Sequence, residues 1–208
     1  MAVLRTGLIG MHISRTRLPA ALQIMCDHTG LELEFEAIDT AYLPGFDLAA
    51  NLERLRRDGW TSVSVTHPFK AAARDWVGDG MDAEIAHLMS CNTVVFGSLA
   101  TGYNTDYTGF VGAWRTGLGV LPPGHVTMAG AGGVAQAIGP ALATLGAKSI
   151  GLYDPDAART KALAGAIGSS SMALSANDLR SAIARSDGLV NATPLGMVEH
   201  PGAAFDPE

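Results

Sequence analysis

The sequence predicts an α/β protein made of two successive strand–helix series, and three observations carry that reading. Over the first hundred residues, apolar runs that end in glycine or polar turns alternate with stretches of helical spacing, the βαβα order of a layered sheet. A second series opens at His125-Val-Thr-Met-Ala129, an apolar run ending in Gly130-Ala131-Gly132-Gly133-Val134-Ala135, with a helical pattern from Gln136 to Leu145 directly after it. Strand, glycine turn and helix in that order are what a Rossmann-like dinucleotide-binding unit requires. Gly130 permits the tight turn, and Gly132 lets the backbone approach a pyrophosphate. Ala135 is small enough for close helix–strand packing, and the helix N-terminus offers N–H groups and a partial positive charge. The third observation is Asp154, which ends the next apolar run 24 residues after Gly130. A carboxylate about 20 residues past such a turn is the expected partner of a ribose 2′-hydroxyl.

Composition sets the bounds. The 208 residues, 48% hydrophobic and 16% charged, suit a globular protein of one or two domains. A formal net charge of −6 argues against a nucleic-acid surface, so a small anionic ligand would depend on locally placed cations. Cys26 and Cys91 stand far apart in apolar contexts without metal-ligand spacing. They read as reduced core residues of a cytoplasmic protein with no metal site. No apolar run reaches membrane-spanning length, and the N-terminus lacks the basic-then-apolar layout of a signal peptide.

Val3 to Gly10 reads as a buried strand that breaks at glycine. Leu18, Ala21, Leu22 and Met25 then recur at helical spacing, with Pro19 acceptable in a first turn. Leu33, Phe35 and Ala37 alternate with Glu34, Glu36 and Ile38 in a second strand that runs up to Asp39. Asp47 to Asp58 predicts a helix with Leu48, Leu52 and Leu55 on one face, stopped by Gly59. Val63 and Val65 mark a third strand ending at Thr66-His67-Pro68-Phe69-Lys70, where Pro68 bars a regular ladder and could open the next helix. A helical patch from Ala83 to Met89 follows, then two strands, Asn92 to Phe96 and Leu99 to Tyr103, across a tight turn.

The second series begins with a helix from Tyr107 to Gly117, which divides the chain into residues 1–106 and 107–208. Gly117 to Gly124, with Pro122-Pro123, is its most linker-like stretch. Beyond the glycine turn come the strand to Asp154, a short strand near Met172 to Leu174, and Gly188 to Ala192, with Ser175 as the N-cap of the intervening helix. A dinucleotide fold typically has about six strands. Four are legible here, so this domain is expected to be incomplete at its C-terminal side.

Three stretches carry candidate chemistry: Ser14-Arg15-Thr16 after the first strand, Thr66 to Lys70 after the third, and Asn104-Thr-Asp106 after the hairpin. All lie at strand ends or at the domain junction, where ligands of open α/β sheets collect. They supply hydroxyls, an amide, an ammonium and a carboxylate, a set suited to a small polyhydroxylated acid. Singly, each also fits a plainer role: Ser14 and Thr16 as helix caps, Asn104 in a turn, Lys70 as a solvated surface group, Asp106 as an N-cap. His12 and His67 read as structural, since a histidine near a site is only a candidate by its ordinary pKa.

Taken together, the sequence resembles the shikimate/quinate dehydrogenase family over essentially its whole length. The matching pieces are SRT at 14–16, THPFK at 66–70, CNTVV at 91–95, NTDYTGF at 104–110, GAGGVAQA at 130–137 and NATPLGM at 191–197. The Ser-Arg-Thr start, HPG at 200–202 and Asp154 look most like the NAD-preferring quinate/shikimate branch. Biosynthetic shikimate dehydrogenases usually carry a basic Asn-Arg-Thr-type stretch after the second nucleotide-domain strand to hold an NADP phosphate, where this chain has Tyr153-Asp154-Pro155-Asp156.

The resemblance implies an N-terminal α/β substrate domain, a Rossmann-like NAD(P)-binding domain, and an active site in the cleft where they meet near residues 104–110. It implies an oxidoreductase of aromatic amino acid biosynthesis or quinate use, which interconverts shikimate and its 3-dehydro ketone, or quinate and dehydroquinate. NAD is the implied cofactor, with NADP less favoured. Ser14 and Thr16 would bind the substrate carboxylate, while Thr66, Asn92 and Asp106 would hold ring hydroxyls. Lys70, paired with Asp106, would move the proton. Gly130, Ala131, Gly132, Gly133, Val134 and Asp154 would bind the dinucleotide, with Thr193, Pro194 and Met197 at its nicotinamide end. The implied protein is a monomer or homodimer. Two alternatives stay open: the same fold acting on an aminoshikimate-type or other cyclic hydroxy acid, and a non-catalytic ligand-binding relative if the chain truly stops here.

Overall fold

The computed structural model describes residues 2–197 and 200–205. Two compact units divide the chain, Met1–Thr105 and Asp106–Glu208. In the first, β1 (Val3–Gly10) is the inner strand of a five-stranded sheet whose order is β2-β1-β3-β4-β5. It pairs in parallel with β2 (Glu32–Asp39) from Val3↔Glu32 to Gly10↔Asp39, and with β3 (Ser62–Val65) on its other side. β4 (Thr93–Phe96) and β5 (Ala100–Tyr103) extend the sheet antiparallel. Thr6 to Gly10 are all buried, as a parallel strand covered on both faces must be.

Helix α1 (Leu18–Thr29) closes at Gly30, whose φ of 72° lets its N–H return to the Cys26 carbonyl. Helix α2 (Leu48–Arg57) starts at Asp47, which accepts a bond from the Ala50 N–H, and it buries Leu48, Leu52 and Leu55. Two sequence expectations are corrected after β3. The next helix, α3 (Lys70–Val77), begins beyond a turn containing a cis His67–Pro68 bond, so Pro68 does not open it. The helical patch at 83–89 is only a one-turn 3-10 helix, Ala83–Ile85. The reason lies in Arg74, whose guanidinium donates to the carbonyls of Gly78, Ala86 and Leu88 at 2.9, 3.4 and 3.1 Å. Those acceptors are thereby fixed in an irregular layer, with Ile85 and Leu88 buried under it.

The second unit is a parallel sheet of order β8-β7-β6-β9. Helix α4 (Thr105–Leu118) leads into β6 (His125–Ala129), α5 (Ala135–Thr144), β7 (Ser149–Tyr153), α6 (Ala157–Ile167), β8 (Ser171–Ala173), α7 (Ala176–Ala184) and β9 (Gly188–Asn191). Val126, Met128, Ile150 and Leu152 pack on Ala135, Ile138, Leu142 and Leu163 to form its core. A Cβ on Gly139 would stand 2.5 Å from Ile167 Cδ1, the tip of a side chain on α6 that packs against α5 there. Ser175 caps α7 in a reciprocal box with Asp178.

Both sheets share one topological feature that positions the site. From β1 the chain passes to β2 on one side and then to β3 on the other; from β6 it passes to β7 and β8, then returns to β9 on the opposite side. Each is a switch point, where loops leave the carboxyl ends of adjacent strands in opposite directions and open a crevice for ligand.

Candidate active site

In the first unit the loops after β1 and β3 are stitched together by backbone. Thr66 N–H donates to the Ile9 carbonyl (2.9 Å) and Met11 N–H to the His67 carbonyl (3.0 Å). Gly10 permits this approach, because a Cβ there would stand 2.2 Å from Thr66 Cγ2. Ser14 is exposed on the first loop between Arg15 and the buried Ile13; Thr16 is half-buried, and its hydroxyl accepts from Leu18 N–H at 3.2 Å. Thr16 therefore serves the start of α1 as well, and its hydroxyl proton is still available to donate.

Lys70 is the half-buried first residue of α3, and its carbonyl accepts from Cys91 N–H at 2.9 Å. The next residue, Asn92, is buried and bonds three elements at once. Its backbone carbonyl takes Val65 N–H (2.8 Å) and its N–H reaches the Tyr103 carbonyl (3.0 Å). Its side-chain oxygen accepts from Thr105 N–H at 2.9 Å, while its amide donates to Thr105 Oγ1 at 2.9 Å. Asn104 is fully buried and donates to the Ser90 carbonyl and hydroxyl, so it is an anchor more than a turn residue. Asp106 is the half-buried second residue of α4.

Sequence reasoning gave no role to Asp39. Its carboxylate accepts from His12 N–H (2.9 Å), Ile13 N–H (3.0 Å) and Ala41 N–H (3.1 Å). Burial pushes this carboxyl up, but the three backbone bonds and the nearby His12 ring outweigh it and hold the group below its ordinary range. The only usable signal in sequence was its position at the end of a strand.

In the second unit the glycine turn leaves β6 with Gly130 at φ 100°. A Cβ on Gly130 would stand 2.8 Å from the Ala192 carbonyl and 3.1 Å from Thr193 Cγ2, so the loop after β9 lies directly against the turn. Around Gly132, by contrast, nothing stands within 4 Å of a built Cβ. The protein's own packing does not require glycine there, and the position is open. Helix α5 returns its first bond from Gln136 N–H to the Gly132 carbonyl. The N–H groups of Gly132, Gly133 and Val134 are thus offered in the manner of a helix N-terminus.

Asp154 follows β7 beside this turn. One carboxylate oxygen accepts from Ala131 N–H at 2.8 Å and the other from Asp156 N–H at 2.9 Å. Each oxygen keeps a lone pair for a ribose hydroxyl. Arg159, the nearest cation in sequence, is paired with Asp156 at 3.2 Å. At the end of β9, Asn191 accepts from Thr193 N–H (2.9 Å) and Thr193 hydroxyl (2.6 Å) and donates to the Leu195 carbonyl (2.9 Å). Asn191 shapes the segment bearing Thr193, Pro194 and the exposed Met197, a part that sequence reasoning had quoted only as motif.

Among the described residues no group of three or more His, Cys, Asp or Glu side chains could hold a metal ion, and no helix is long and apolar enough to cross a membrane.

Switch points in both sheets, one carrying an open glycine turn with a strand-end carboxylate beside it, are the arrangement of a dinucleotide-binding α/β fold, and the relatives of this chain are NAD(P)-dependent oxidoreductases. No family model matches the chain. It is 38% identical over 209 aligned residues to a quinate/shikimate dehydrogenase (NAD(+)) of Corynebacterium efficiens, covering 96% of this chain and 73% of that protein. A shikimate dehydrogenase (NADP(+)) of Arthrobacter sp. is 34% identical, with coverages of 96% and 71%. The structure of quinate dehydrogenase from Corynebacterium glutamicum in complex with NAD superposes with a TM-score of 0.87 at 34% identity, covering 99% of this chain and 75% of that one. The chain belongs to the quinate/shikimate dehydrogenase family.

Proposed function

We propose that the protein is an NAD-dependent dehydrogenase that oxidises shikimate, and quinate with it, to the 3-dehydro ketone, reversibly. The observation that carries this reading is the convergence of the loops after β1 and β3 with the Asn92 amide at one switch point, in a chain of this family. Ser14 and Thr16 donate hydroxyls to the substrate carboxylate, with Arg15 and Arg17 exposed on the same loop as local cations. Thr66, Asn92 and Asp106 hold ring hydroxyls; one Asn92 amide hydrogen remains beyond its bond to Thr105.

NAD, when bound, supplies the hydride acceptor. The residues present fit it: the open position at Gly132 would admit the pyrophosphate, the N–H groups of Gly132 to Val134 would donate to it, and Asp154 would accept from the ribose hydroxyls. Thr193, Pro194 and Met197 line the nicotinamide end. In the oxidising direction Lys70 takes the proton of the substrate hydroxyl as the hydride leaves its carbon. In the reverse direction the Lys70 ammonium stabilises the developing alkoxide and returns the proton. Residues 1–106 act as the substrate domain and 107–208 as the cofactor domain. The two free, buried thiols fit a cytoplasmic setting.

The test is steady-state oxidation of shikimate and of quinate with NAD and with NADP. Turnover of either acid with NAD, at a kcat/KM at least tenfold above that with NADP, is the expected result. Binding of an acid without turnover would instead identify a non-catalytic relative, and neither binding nor turnover would sink the reading.

A further inference from the structure

We propose that Asp39 is a positioning residue for the substrate: it fixes the loop after β1 in the conformation that presents Ser14 and Thr16. This rests on the function proposed above.

The chain leaves β1 at Gly10 and must turn sharply to bring Ser14 over the carboxyl end of the sheet. His12 makes that turn with φ 56°, the one non-glycine residue in the left-handed region among those described. Left-handed backbone is unfavourable for a residue with a Cβ, so something must hold it. Consecutive N–H groups at His12 and Ile13 consequently point the same way, and the two Asp39 oxygens take one each, at 2.9 and 3.0 Å. Such a pair of N–H groups is itself an anion-binding concavity. Asp39 fills it from within, so an incoming carboxylate is left to the Ser14 and Thr16 hydroxyls.

The other partners of the loop secure it at either side of this clasp. Met11 N–H is bonded to the His67 carbonyl, and Thr16 N–H to the Ile13 carbonyl at 2.9 Å. Asp39 itself is held by β2, paired with Gly10 in an eight-residue parallel register. The sheet does not need the clasp in return: Met11, His12, Ser14 and Arg15 are all exposed, Ile13 alone of residues 11–15 is buried, and Leu8, Ile9 and Ile38 form their core contacts regardless. Loss of the clasp should therefore alter the loop and leave the fold intact.

Asp39→Asn keeps the size of the side chain. Its carbonyl oxygen can still serve His12 and Ala41, but its amide then faces the Ile13 N–H, donor against donor. The expected result is a rise of about tenfold in the KM and Kd for shikimate or quinate, with kcat and the KM for NAD within about twofold of the unmodified chain. Adding His12→Gly, which enters the left-handed region freely, should recover at least threefold of that loss. A purely structural residue would lower melting temperature and active fraction, and so kcat, without this split or this rescue. His12→Val, which resists the left-handed region, should raise the same KM and decides the matter if Asp39→Asn does not fold. A folded variant with unchanged acid affinity, or with reduced kcat alone, overturns the proposal while the function above stands. An unmodified chain that binds neither acid by calorimetry overturns that function, and this inference with it.

Discussion

Lys70 begins α3 from a backbone that is already fixed, its carbonyl taken by Cys91 N–H. Its side chain is half-buried and fills no core position, so Lys70→Ala should fold. Turnover is expected to fall by at least about 10²-fold, the usual worth of a general acid–base group, with substrate Kd within about tenfold. Near-normal kcat in the folded variant would remove Lys70 from the chemistry. Asp154 governs the second residue-level expectation, a preference for NAD. A 2′-phosphate would bring about two negative charges within a few ångströms of this carboxylate, costing on the order of 1 kcal/mol even at a water-like dielectric. Arg159, the nearest cation in sequence, is paired with Asp156. Because Asp154 also grips Ala131 N–H, a serine there would slacken the glycine turn as well as remove the charge. Asp154→Asn removes the charge and keeps one oxygen for Ala131 N–H, its amide then facing Asp156 N–H. It should cut the NAD:NADP ratio of kcat/KM to below about threefold; an unchanged ratio would show that the ribose lies elsewhere.

The glycine turn separates two kinds of glycine within four residues of each other. Gly130→Ala forces a Cβ into left-handed backbone and to 2.8 Å from the Ala192 main chain. It should destabilise the protein by more than about 1 kcal/mol, or several degrees in Tm. Gly132→Ala meets nothing within the protein. Its Tm should stay within about 1 °C by the absence of any clash, while the KM for NAD rises at least tenfold if the pyrophosphate is to pass there. An unchanged KM for NAD in Gly132→Ala would show that the open position is not a ligand's. Three depressed carboxylates also set the response to acid. Glu34 is held low by its bonds with Arg5, Asp39 by the backbone N–H groups that outweigh its burial, and Asp178 by Ser175. A carboxylate depressed on folding contributes stability above its unfolded pKa and loses it as pH falls through the folded one. Thermal melts should therefore begin to fall as pH drops below about 4.5 and continue falling below 3.8, the ordinary values of these groups. Asp39→Asn should flatten part of that decline.

Across the molecule, each ligand should protect its own unit. Saturating NAD at about 100 times its Kd contributes roughly 2.7 kcal/mol to the states that bind it. Hydrogen exchange should slow at residues 130–136 with NAD, and at 12–18 and 66–70 with shikimate. Protection by shikimate confined to the second unit would contradict the assignment. Much of this organisation was legible in sequence because strands, glycine turns and caps are local. Asp47, Ser175 and the Gly-x-Gly-x-x-Ala order each announce their element without reference to anything distant. What escaped was non-local. The irregular layer after the helix at 70–77 is held by Arg74 reaching carbonyls up to 14 residues away. Asp39 and Asn191 act across strand registers and loop closures that no periodicity encodes.

The two sheets solve one problem in the same way. Asp39 lies opposite Gly10 and clasps the loop leaving β1; Asp154 follows Tyr153, whose carbonyl receives the Gly130 N–H, and clasps the turn leaving β6. Such a clasp dictates where the chain can change length. One residue inserted within β2 or β7 would turn the carboxylate to the opposite face of its sheet and release the loop it holds. The same insertion at Gly30 or Gly146, open turns ahead of those strands, leaves the register untouched. Length variation among descendants of this chain should therefore collect at those two turns and spare the stretches from each strand's start to its aspartate.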